Sequence, residues 1–143
     1  MARRRKIGDV YAIPLQDGTY AFGRVLLESS VAFYKYRGQN INDLPPTEDY
    51  EFTVCCYKDC FKEWTFVENR PFNNEDEARP PLYQMKDIGT ENYKIYDYGN
   101  IRPATKEECA GLEVCATWAH IHLVKRLMGD EIWKKYFPRF YEE

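Results

Sequence analysis

Residues 6–28, KIGDVYAIPLQDGTYAFGRVLLE, place two runs of β-favouring residues on either side of a Gln16-Asp17-Gly18 turn. Glycine takes positive φ without steric cost, so Asp-Gly between alternating apolar residues predicts a hairpin with strands over 8–15 and 19–28. In the second strand Tyr20, Phe22, Arg24 and Leu26 share one face, and Ala21, Gly23, Val25 and Leu27 the other. Gly23 lets the strand bend or a neighbour approach closely, which suits a curved sheet or a small barrel.

Further strands are predicted over 31–36, 51–57 and 64–68, with weaker ones over 82–86 and 92–98. The strand at 51–57 puts Phe52, Val54 and Cys56 on one face, and with 64–68 it is expected to form a second hairpin across KDCFKE. Two stretches break the pattern. GQNINDLPPTED (38–49) and NRPFNNEDEARPP (69–81) are rich in turn formers, and the second has three prolines and no apolar period. Loops of that length are commonly functional.

The last third changes period. Thr105 followed by Glu108 fits a capping box, and Cys109, Leu112, Ala116, Ala119, Leu123 and Leu127 recur at spacings of three and four. This predicts one amphipathic helix of about six turns ending at Gly129, then a shorter helix, DEIWKKYF, from Asp130 to Pro138. Strands first and helices last give an α+β class: a curved antiparallel sheet or small SH3-like barrel with a long C-terminal helix packed on it. The 143 residues suit a single domain, with a basic leader at 1–6, mostly strands over 7–98 and helices over 105–137.

The net charge is −3, and setting aside Arg3, Arg4, Arg5 and Lys6 leaves 16 basic residues against 23 acidic ones. An acidic body disfavours a nucleic-acid phosphate surface and suits a basic protein partner. No apolar run reaches membrane-spanning length and no secretory leader is visible, so a cytoplasmic protein is expected. Five cysteines, an odd number, then point to reduced thiols rather than a disulfide framework.

No site for metal or catalysis assembles from spacing alone. Cys55 and Cys56 are adjacent in a strand and point to opposite faces, and His120 and His122 lie about 200° apart on a helix. Cys60 with either histidine is the one conceivable nucleophile pair, but no recognised catalytic motif accompanies it. No cofactor is expected. Glu75, Asp76 and Glu77, beside the aromatics Phe72 and Tyr83, instead suggest an acidic docking surface that steers and then grips a basic partner. The competing view is a small nucleic-acid module using Arg3, Arg4 and Arg5 on phosphates and exposed aromatics on bases.

The segment GDVYAIPLQDGTYAFGRVL resembles the start of the immunity protein 26 family of bacterial polymorphic-toxin systems. The likeness lies in Gly8-Asp9-Val10, Ile13-Pro14-Leu15, the Asp17-Gly18 turn and the return strand 20–25. It implies an α+β immunity protein that binds and neutralises a cognate toxin, with no catalytic residue. The motif residues themselves read as scaffold, which leaves the function to surfaces built upon it.

Overall fold

The computed structural model describes residues 4–87 and 89–130. Their order is β1 (Asp9–Pro14), β2 (Tyr20–Val25), β3 (Ser30–Tyr34), β4 (Tyr50–Cys56), β5 (Thr65–Asn69), β6 (Tyr83–Lys86), β7 (Tyr93–Asp97), β8 (Asn100–Ala104), α1 (Lys106–Cys109), β9 (Glu113–Val114), β10 (Thr117–Trp118) and α2 (His120–Leu127). Among these residues the strands form two open sheets, in the orders β10-β4-β3-β2-β1-β5 and β8-β7-β6-β9. The architecture is mostly sheet with a few short helices. The sheet alternative is therefore the one observed, and among the described residues the strands close no barrel.

The opening hairpin forms as its residues dictate. β1 and β2 pair antiparallel with Tyr11 opposite Gly23, and Gly18 turns the chain at φ +86°. Asp17 fastens the turn, its Oδ1 accepting from the Thr19 amide (2.9 Å) and hydroxyl (2.6 Å). At Gly23 an added Cβ would lie 2.7 Å from Val31 Cγ1, so the glycine is there for the close approach of β3.

Strand alternation sorts the side chains into two cores, one on each face of the larger sheet. Tyr11, Ile13, Val25, Val31, Phe33, Val54 and Cys56 face one side, where Cys60, Trp64, Trp118, Leu123 and Leu127 close over them. Val10, Ala12, Phe22 and Tyr34 face the other side, against Tyr36, Ile41 and Leu44 from the segment before β4. The breaker-rich loop at 38–49 thus serves as a lid on an apolar face. A smaller core at Tyr93, Ile95 and Cys109 belongs to the second sheet.

Two expectations are corrected and one strand is added. β5 does not form a hairpin with β4; it crosses to pair with β1, Tyr11 opposite Phe66, and becomes an edge strand. A strand absent from the sequence reading, β8, pairs with β7 despite containing Pro103.

The long C-terminal helix is also not formed. The capping box at Thr105 and Glu108 is present, but it opens a helix of four residues. Ala110 leaves helical geometry with ψ 130° and Gly111 turns the chain at φ +81°. The β-favouring residues that follow then pair parallel with existing strands, Val114 opposite Gln84 and Trp118 opposite Cys56. Only 120–127 is helical at the end, and it stops before Gly129 at φ +90°. The helix predicted from Asp130 falls, beyond its first residue, outside the described residues.

Candidate functional site: a pinned acidic loop

β5 ends at Asn69, and the loop leading to β6 begins where the residues of the opening motif converge. Asp9 is fully buried; its Oδ1 accepts from Asn69 Nδ2 (2.9 Å) and its Oδ2 from the Lys6 amide (2.8 Å). The Arg70 amide donates to the Gly8 carbonyl at 2.9 Å. Gly8 has φ +90°, and a Cβ there would stand 2.7 Å from the Arg70 carbonyl oxygen, so only glycine admits the loop at this approach.

Two arginines then lock the first residues of the loop. Arg24, only 7% exposed, sends Nε (3.0 Å) and Nη2 (2.5 Å) to the Arg70 carbonyl, Nη2 also to the Pro71 carbonyl (3.0 Å), and Nη1 to the Tyr50 hydroxyl (3.0 Å). Its guanidinium carbon lies 3.6 Å from the centre of the Phe72 ring. Arg70 turns the other way, donating to Glu68 (2.5 Å), Glu48 (2.7 Å) and the Pro45 carbonyl (2.8 Å). Tyr34 also donates to Glu48, at 3.0 Å. Burial pushes the Glu48 carboxyl upward, but hydrogen bonds from Arg70 and Tyr34 outweigh it and hold the group below its ordinary value.

The far end of the loop is anchored by buried Ala78 and Pro80, leaving 73–77 exposed. Asp76–Ala78 is a 3-10 turn. Glu77 accepts the Asn73 amide at 3.0 Å, while its own amide donates to Asn74 Oδ1 at 3.0 Å. Asp76 lies 3.5 Å from Arg79, which covers the Tyr98 ring at 4.8 Å. Glu75 is exposed.

The structure thus brings Phe72, Glu75, Asp76 and Glu77 together on one loop, with Phe72 half-buried beneath Arg24. Tyr83 is a correction. It is 1% exposed with its hydroxyl 2.9 Å from Ser30 Oγ, because β6 turns it inward at the junction of the two sheets. Gly8, Asp9, Arg24 and Arg70 were missed as builders of the loop. A signal existed at Arg24, a cation placed between Phe22 and Leu26 on one strand face.

The other candidate groups lie apart from this loop. Cys60 is 1% exposed and its thiol points to the Trp118 carbonyl at 3.5 Å, while His120 Nδ1 accepts the Trp64 indole N–H at 3.0 Å. Burial pushes the Cys56 thiol well up, and a hydrogen bond from it draws Cys60 down. All five cysteines are free. No group of three or more His, Cys, Asp or Glu side chains among the described residues is placed to hold a metal. No helix among them is long and apolar enough to cross a membrane.

Fold and site together define an α+β protein of two open sheets that presents a braced acidic loop. Residues 6–94, which include the hairpin, the loop root and the loop itself, match the family Immunity protein 26. The chain belongs to that family, and its role is accordingly one of immunity. No curated protein and no solved structure matches it.

Proposed function

We propose that the chain binds a cognate toxin protein in the bacterial cytoplasm and neutralises it by contact, without catalysis, through a surface that includes Glu75, Asp76 and Glu77 with Phe72 at their base. The observation that carries this reading is the family match over 6–94, which spans the loop. The exposed, braced carboxylates support a basic partner, since preorganised charge raises association rates and a loop already ordered loses less entropy on binding.

The test uses the toxin encoded beside this protein's gene. Co-purification with that toxin and loss of its toxicity are expected. Replacing Glu75, Asp76 and Glu77 together by lysine should slow association by about tenfold or more at low salt, with little change in melting temperature, because exposed loop charges contribute little to stability. Wild-type association across a salt series would remove the loop from the contact surface. Failure of the wild-type protein to bind the toxin at all would overturn the reading.

A further inference from the structure

We infer that Arg24 is a positioning residue that holds residues 70–72 in the one backbone shape able to present the acidic tip; the inference rests on the contact surface proposed above. A buried cation must find compensation, and left unpaired it is strongly destabilising. Among the described residues no carboxylate hydrogen-bonds Arg24. Its hydrogen bonds go to two consecutive main-chain carbonyls, those of Arg70 and Pro71, and to the Tyr50 hydroxyl, its face lies on Phe72, and the nearby Glu48 carboxylate adds charge compensation without a hydrogen bond.

That choice of partners has a geometric consequence. A planar guanidinium fork satisfies two successive carbonyls only if both turn toward it, so burial of Arg24 and the shape of the loop require each other. Gly8 makes the arrangement possible from the other side, because any side chain there would collide with the Arg70 carbonyl that Arg24 grips. Asp9 sets the preceding residue by holding Asn69. The opening motif and the return strand therefore form a socket for the loop. A lysine at position 24 has a single charged nitrogen and cannot reproduce the fork or the stacking.

Hydrogen exchange on the free protein tests this without a partner. Arg24→Ala should raise exchange over 70–79 by at least about tenfold while the central strands β2 and β3 keep their protection. Millimolar guanidinium should restore protection to Arg24→Ala, and Arg24→Lys should remain loose. Phe72→Leu, which leaves β2 intact, should loosen the same residues by a smaller factor, and it keeps the test available should Arg24→Ala fold poorly. Unchanged exchange over 70–79 in both Arg24→Ala and Phe72→Leu overturns the positioning role. Dissociation from the toxin encoded alongside should quicken in step with the loosening. A loosened loop with unchanged dissociation instead overturns the loop as a contact surface.

Discussion

Ser29 follows Glu28 in a turn where both residues have positive φ, 61° and 58°, a conformation that hairpin turns usually give to Asn-Gly. The strain is offset at Glu28, whose carboxylate accepts the Tyr96 hydroxyl at 2.8 Å. Ser29→Gly should therefore stabilise the fold by about 1 kcal/mol, raising the melting temperature by roughly 2–4 °C. No change on calorimetry would show that the turn is not under strain. Glu48 gives a pH-dependent counterpart. Its folded-state pKa is depressed below the ordinary 4.5, so the stability it contributes is present above that value and is lost as pH falls further. The protection factor of the Arg70 amide, which corrects for the acid slowing of exchange itself, should fall below pH 4.5 as Arg70 loses a partner, and Glu48→Gln should remove most of that dependence.

Among the elements, β8 is the exposed edge of the smaller sheet, with Ile101 55% exposed and Pro103 opposite Lys94. Proline has no N–H to give to the ladder, so its nitrogen faces the open edge and denies a donor to any added strand. Pro103→Thr should promote self-association, seen as a concentration-dependent rise in light scattering mass; a strictly monomeric variant would show that the edge is guarded by other means. The same proline explains why β8 was not legible in the sequence, where it reads as a breaker. The hairpin of β1 and β2 was legible because turn chemistry and alternation agree locally. Partner choice was not: nothing within 64–68 reveals that β5 crosses to β1 rather than folding back on β4. The C-terminal third misled for a definite reason. Cys109, Leu112, Leu123 and Leu127 keep helical spacing, but they serve two different cores, and the spacing alone cannot show that Gly111 breaks the run. The exposure of Glu75, Asp76 and Glu77 was readable from loop composition, whereas Tyr83 was misplaced because a strand tyrosine next to a loop carries no mark of which way it turns.

At the scale of the whole molecule the two sheets are joined by polar links. Ser30 meets Tyr83, Tyr96 meets Glu28, and Arg126 on α2 makes a bidentate pair with Glu113 on β9 at 2.7 and 3.1 Å. The family match ends at residue 94, yet Trp118, Leu123, Val124 and Leu127 cover the main core of the larger sheet. A chain cut after Lys94 is expected to lose near-UV circular dichroism and cooperative melting, since each large buried apolar side chain contributes about 1.5–3 kcal/mol. Native-like melting of that fragment would show that the cover is dispensable. The late arrival of this cover also sets the order of events during synthesis. β1 emerges from the ribosome before the residues that cover it: Cys60 and Trp64 reach the face around Ile13, Val31 and Phe33 first, but its cover is complete only when residues 118–127 follow, and contacts so distant in sequence form slowly. A message truncated between residues 94 and 118 would yield a polypeptide with its family signature complete and part of its main core still open to water.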